Sequence, residues 1–236
     1  MFEVRTDLAV EENERIAKAQ EETKGINVTE EDYEKEQIHI TTVRITTENG
    51  AKQMGKPRGT YITLEAAEMI EDDEDYHREI SKRLAEILKE LIPVDDSGTS
   101  ILVAGLGNRL VTPDALGPQV ADNLYITRHI LKEFGRRAYE NEQVQPISAI
   151  VPGVMAQTGM ETMEIIRGVI RETDPDAVIA IDALAARSVR RLNCTIQVTD
   201  TGINPGSGVC NHRCGLNEES LGIPVIGIGV PTVVDG

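Results

Sequence analysis

The sequence predicts an α/β sandwich of three layers around a mostly parallel sheet, with an additional N-terminal β-hairpin layer. Three observations carry this prediction. Strand-like segments near 100–104, 147–151, 177–181 and 224–229 alternate with helix-periodic stretches near 118–139 and 159–172, and two of them hold the continuous apolar runs 101–104 and 177–181 expected of strands covered on both faces. Aromatic residues make up 3% of the chain, with no tryptophan, so the core is built from Val, Ile, Leu and Ala. Finally, the run 101–104 ends in Gly105-Leu106-Gly107 and a turn that delivers Asp114 to the start of a helix, at the strand edge where open α/β sheets collect ligands.

The elements follow in order. Residues 1–22 open with Arg5-Thr6-Asp7-Leu8-Ala9 and continue as a charged helix-like segment. Residues 37–47 alternate in a strand rhythm, Asn49-Gly50 is a turn signal, and 59–64 read as the returning strand. Residues 65–91 carry apolar positions at helical intervals, and the acidic patch 71–75 reads as a solvated kink or loop between two helices. Residues 93–98 are the loop into the main sheet. Residues 195–201 form a candidate further strand, and 204–208 a polar, glycine-rich loop that either lines a site or is a plain surface connection. The last strand runs into 230–236 without a covering helix, which reads as a shortened C-terminus.

Composition narrows the function. The 236 residues hold 24 Lys and Arg against 40 Asp and Glu, a net charge of −16. A nucleic-acid surface needs a basic face or stripe, and Arg187, Arg190 and Arg191 make only a short cluster. Direct nucleic-acid binding is therefore not expected. Apolar runs are far too short for a membrane span and residues 1–20 lack a signal-peptide core. Three cysteines make no disulfide framework, and the expected location is the cytoplasm.

The chemistry concentrates in two aspartates. Asp114 sits in the glycine turn, and Asp182 ends the run 177–181 before Ala-Leu-Ala-Ala-Arg. Two acids on one sheet edge make a candidate general acid–base pair. Each is also a plausible helix cap, and that reading stays open on spacing alone. The turn is not closed by the third glycine of a dinucleotide loop, nor by a Gly-Lys-Ser/Thr phosphate signature. Cys210, His212 and Cys214 are the one cluster of metal-ligand residue types, but their alternate spacing does not match a zinc knuckle. Ser97, Ser207 and Ser220 lie in no Gly-x-Ser-x-Gly elbow. His39, His77 and His129 fall in expected surface elements.

Together the stretches RTDLAVE, GLGNRLVTPDALGP, AIDALAARS, TDTGINPGSGV and IPVIGIGVPTVVD resemble the germination protease family of spore-forming bacteria, in order and over essentially the whole chain. The resemblance implies a phosphorylase/hydrolase-like fold. It also implies an endopeptidase that degrades small acid-soluble spore proteins in the forespore and spore core, made as a self-processing zymogen and assembled as a homotetramer, with no cofactor and no resident metal. By motif the catalytic aspartates are Asp114 and Asp182. Asn108, from the glycine turn, is a candidate to orient substrate or support Asp114, and Asn211 and Arg213 are candidate substrate contacts. Residues 1–7 correspond to a prosegment and 8–236 to a single protease domain. The family's preference for an acidic residue, then a hydrophobic one, then alanine places self-cleavage between Asp7 and Leu8, although the acid expected further upstream falls on Val4. The alternative for Asp7 is a simple N-cap of the charged helix after it. A wider similarity runs to hydrogenase-maturation endopeptidases, in which acids and a histidine hold a metal; His212 would be that histidine here. A non-enzymatic peptide-binding module, with both aspartates as caps, is the alternative from another class.

Overall fold

Residues 6–18, 24–92, 98–139, 144–204 and 215–234 are described in the computed structural model, and one eight-stranded sheet organises them. Its strands are β1 (Ile26–Tyr33), β2 (Ile38–Ile45), β3 (Gly59–Ala66), β4 (Ile101–Gly105), β5 (Ile147–Ile150), β6 (Ala177–Ala186), β7 (Thr195–Thr199) and β8 (Val225–Val234). They lie in the order β1-β2-β3-β7-β8-β6-β4-β5. The expected parallel core is present as β8, β6, β4 and β5. The N-terminal strands do not stack as a separate layer. They extend the same sheet in its plane, antiparallel throughout, through the pairing of β3 with β7 and of β7 with β8. Side-chain alternation marks the faces of a strand but not the hydrogen-bonding neighbour on its edge, which is why the sequence shows the strands and not their docking.

Helices cover both faces, giving the three layers. On one face α3 (Glu74–Leu91) and α4 (Leu116–Asn123) pack through Ile80, Ile87 and Leu116 onto Ile62, Val198, Ile228 and Ile181. On the other, α7 (Thr162–Thr173) sets Ile166 against Leu102, Val178 and Ala180. That face is continued by α1 (Ala9–Lys18), whose Ala9 and Ile16 cover Val43 and Tyr61, and by α2 (Glu48–Met54) through Met54.

Several local expectations change. Asn49-Gly50 is not a hairpin turn but the first turn of α2, capped by Thr47, whose Oγ1 accepts from Gly50 N at 3.1 Å. A Cβ at Gly50 would come 2.9 Å from the Gly25 carbonyl, so this glycine serves a close approach. Glu65 and Ala66 belong to β3 rather than to a helix, and the acidic patch supplies the N-cap of α3. There Asp73 accepts from the amides of Asp75 and Tyr76, and Glu74 and Asp75 fill the first turn, where the helix dipole favours negative charge. The helical stretch near 118–139 divides into α4, α5 (Arg128–Phe134) and a 3-10 turn at Arg136–Ala138. The stretch near 159–172 is α7, preceded by the single turn α6 (Met155–Thr158). A last turn, α8 (Glu218–Leu221), precedes β8. Strands β6 and β8 both run ten residues, past the predicted ends of their apolar cores. Asp182 consequently lies inside a strand.

The join between α4 and the sheet is backbone on backbone. A Cβ on Gly117 would overlap the Ile181 carbonyl and the Leu106 backbone, and one on Gly105 would overlap the Gly117 carbonyl. Gly117→Ala should therefore lower stability by about 1–3 kcal/mol through overpacking, read as a lower denaturation midpoint with an unchanged m-value. An unchanged midpoint would show that α4 is free to shift away.

Candidate active site

The turn after β4 is built to hold one carboxylate. Leu106 N donates to the Ile181 carbonyl at 2.8 Å, which fastens the turn to β6. Gly107 then adopts φ of +111°, and a side chain there would run into the Asp114 backbone. This close return lets Asn108 N donate to both the Asp114 carboxylate at 2.8 Å and the Asp114 carbonyl at 3.0 Å. Pro113 is the middle residue of the 3-10 turn Thr112–Asp114, and its carbonyl accepts from Thr232 Oγ1 of β8 at 2.6 Å. Asn108 thus supports Asp114, but through its backbone. Its side-chain oxygen accepts instead from Leu110 N at 3.0 Å and from Gln157 Nε2 at 3.1 Å, bracing the loop. The N-cap position of α4 is Ala115 and no side chain caps it. Asp114 does not have the capping role.

The second carboxylate comes from β6. Asp182 is buried, 6% exposed, and accepts from Ala183 N at 2.9 Å. It pairs in register with Gly229 of β8, Gly229 with Gln197 of β7, and Gln197 with Thr63 of β3. Register partners share a face, so Asp182 and Gln197 flank a glycine gap on the side of the sheet that carries α1. Adjacent strands are about 4.8 Å apart, which sets their Cα atoms roughly 10 Å from each other. The Thr112–Asp114 turn packs on β6 and β8, so both aspartates occupy the same edge of the parallel strands. Asp182 sits mid-strand and caps no helix.

Asp7 and Leu8 lie on this same face. Asp7 N donates to the Ala185 carbonyl at 2.9 Å, and the Asp7 carboxylate accepts from Ala185 N at 2.8 Å. The Asp7 carbonyl accepts from Lys56 Nζ at 2.8 Å and from Gln197 Nε2 at 3.0 Å, while Ala9 N donates to Gln197 Oε1 at 2.7 Å. Leu8 is fully buried against Val10, Leu184 and Ala186. Asp7 stands two residues before α1, and its carboxylate accepts from an amide of β6. A cleft of about 230 Å³ opens beside this segment, lined by Asp7, Lys56, Tyr61, Leu184, Gln197 and Gly229 among others. Burial holds Lys56 below the ordinary lysine range, with the charges of Asp7, Glu12 and Glu11 acting the other way. Burial also pushes the Tyr61 hydroxyl up to about 12, against the hydrogen bond with Thr201, so it remains a donor, here to the Pro57 carbonyl at 2.9 Å.

Asn211 and Arg213 lie outside the described residues, as do Cys210, His212, Cys214, Ser97 and Ser207. Among the described residues no group of three or more His, Cys, Asp or Glu side chains is placed to hold a metal ion. His39 engages Asp32 at 2.6 Å and His77 the Met69 carbonyl at 3.0 Å, both at the surface. Lys56 and Gln197 lie in none of the motif stretches, and Gly229, although inside IPVIGIGVPTVVD, carries no sign of its position between Asp182 and Gln197. The one available signal was the strand Thr195–Thr199, whose polar positions 195, 197 and 199 alternate on one face although every residue of it is buried.

Two acids at one strand edge, in a sheet that also carries an extended segment of peptide along a cleft, suit the class of peptidases built on an α/β sandwich; neither acid lines the cleft itself. Comparison with known proteins identifies the particular group. The family model described as germination protease matches residues 3–236, and the chain belongs to the germination protease family. It is 50% identical over 232 residues to the germination protease of Caldanaerobacter subterraneus subsp. tengcongensis, covering 98% of this chain and 69% of the relative. It is likewise 50% identical over 248 residues to that of Priestia megaterium, covering 99% and 64%. With that of Clostridium perfringens it is 48% identical over 236 residues, covering 100% and 71%. The chain thus spans about two thirds of the length of these relatives.

Proposed function

We propose that this chain is the protease part of an endopeptidase that starts the degradation of small acid-soluble spore proteins during germination. It is made as a zymogen and removes residues 1–7 by cutting itself between Asp7 and Leu8, leaving 8–236 as the working domain. The observation that carries the reading is the convergence of Asp114 and Asp182 on one sheet edge in a chain of this family. One carboxylate takes a proton from water while the other, protonated, hydrogen-bonds the scissile carbonyl or protonates the departing amine. Like charges held near one another do not both ionise readily, so such a pair divides the two roles between its members. Asn211 and Arg213 belong to the substrate side of the proposal, an arginine there pairing with an acidic residue of the cleavage motif.

The test is incubation with a purified small acid-soluble spore protein, read by mass spectrometry. Cuts after acidic residues are expected, at a rate unchanged by a chelator. Activity that is lost on chelation and regained with metal would replace the two-aspartate chemistry by the metal-dependent one. An intact substrate would leave a peptide-binding module.

Two further expectations concern partners. No helix among the described residues is long and apolar enough to cross a membrane, and the proposed setting is the forespore and spore core. With a net charge of −16 the enzyme should attack spore proteins that have left DNA and spare those still bound to it, because its own field opposes approach to the phosphate backbone. Equal cleavage of free and DNA-bound substrate in a competition assay would contradict this. Assembly as a homotetramer is proposed on the resemblance and is read directly by light scattering.

A further inference from the structure

Two side-chain donors meet at the carbonyl of the proposed scissile bond. The Asp7 carbonyl oxygen accepts from Lys56 Nζ at 2.8 Å and from Gln197 Nε2 at 3.0 Å. These donors arrive from opposite directions in the fold. Lys56 follows the C-terminus of α2, whereas Gln197 stands mid-strand in β7 and is itself only 6% exposed. Gln197 also holds the other side of the bond, since its Oε1 accepts from Ala9 N at 2.7 Å. One side chain therefore spans the Asp7–Leu8 peptide, and it stands in the same cross-strand row as Asp182, with only Gly229 between them. A side chain at 229 would collide with Leu184, whose side chain packs over this glycine.

We infer that Lys56 and Gln197 are catalytic residues of self-processing, the pair of donors that receives the negative charge developing on the Asp7 carbonyl oxygen. The inference rests on the reading that Asp7–Leu8 is the bond cut. In the forward step a water oxygen bonds to the Asp7 carbonyl carbon, one aspartate accepts the water proton, and the carbonyl π pair moves onto the oxygen facing Lys56 and Gln197. Collapse of the tetrahedral species breaks the carbon–nitrogen bond. The other aspartate supplies a proton to Leu8 N, leaving a carboxyl group on Asp7 and an amine on Leu8. Donors aimed at the developing oxyanion in a site sheltered from water stabilise the transition state more than the ground state. The dehydrated surroundings that hold Lys56 below the ordinary lysine range strengthen its interaction with that oxygen for the same reason.

The test follows the first-order loss of residues 1–7 by intact mass in the full chain, alongside hydrogen exchange at the Ala9 amide. Gln197→Glu keeps an acceptor for Ala9 N but loses the donor to Asp7. Lys56→Met removes the second donor, and Lys56→Arg restores one. Each loss of a donor should slow processing about 10²–10³-fold while Ala9 stays protected, and Lys56→Arg should recover part of the rate. Wild-type rates in both Gln197→Glu and Lys56→Met would overturn the inference, as would slowing that only tracks loss of Ala9 protection. Asp182→Asn serves as the separate control. If it processes normally while Lys56→Met does not, the two-aspartate reading fails and the donor pair stands; if wild type never loses residues 1–7, both fall.

Discussion

Asp114→Asn and Asp182→Asn should each reduce cleavage of a spore-protein substrate by about 10²–10⁴-fold, the usual loss on removing a positioned acid or base. Asparagine is close to isosteric with aspartate and retains one acceptor oxygen. At 114 it can still accept from Asn108 N, and at 182 from Ala183 N, so the turn and the strand should fold as before. What it cannot do is exchange a proton with water or with a leaving amine. Circular dichroism and the thermal midpoint should therefore remain close to wild type while the rate collapses. Full activity in either variant removes that residue from the chemistry.

Arg191→Ala should cost about 3–5 kcal/mol of stability, the range for breaking a buried ion cluster by deleting one partner. Arg191 is 8% exposed and meets Glu65 at 2.9 Å, Glu14 at 2.8 Å and Glu11 at 3.6 Å. Burial alone would lower its pKa, but the hydrogen bonds and charges of Glu14 and Glu65 reverse this and hold it above the ordinary arginine value. Without the guanidinium, Glu11, itself 3% exposed, loses one of its charged partners while keeping the amides of Arg187 and Ser188. The cluster ties α1 to the sheet, and α1 begins at Ala9, one residue past the Leu8 terminus that the proposed cut creates. Urea denaturation measures the loss, and a change below about 0.5 kcal/mol, the scale of an ordinary surface substitution, would show that α1 is held by its apolar face alone.

The parallel half of the fold was legible because buried strands such as β4 and β6 are written as continuous apolar runs and their glycine turn is written in glycines. The antiparallel half was legible as strands but not as sheet edges, and Asn49-Gly50 misled because a turn dipeptide after a capping threonine also starts a helix. Asp73 reads the other way: an acid run taken for a break in a helix is the signal that opens one. Of the site, Asp114 and Asp182 could be located by motif, yet the depth of Asp182 inside β6 could not, since β6 continues past it only by pairing residues 182–186 with β8, more than forty positions further along the chain. Gln197 and Lys56 were out of reach for a related reason. Each is an ordinary residue in an ordinary element, and only the docking of residues 7–9 across β7 gives them a shared target.

The central claim is that the strand-edge aspartates cut a peptide bond laid across this face of the sheet. N-terminal sequencing of the full chain and of its Asp114→Asn variant, after incubation under mildly acidic conditions, tests it most directly. The account predicts a new terminus at Leu8 in the wild type and an intact Met1 in the variant. Met1 retained in both, or the same trimming in both, would contradict it.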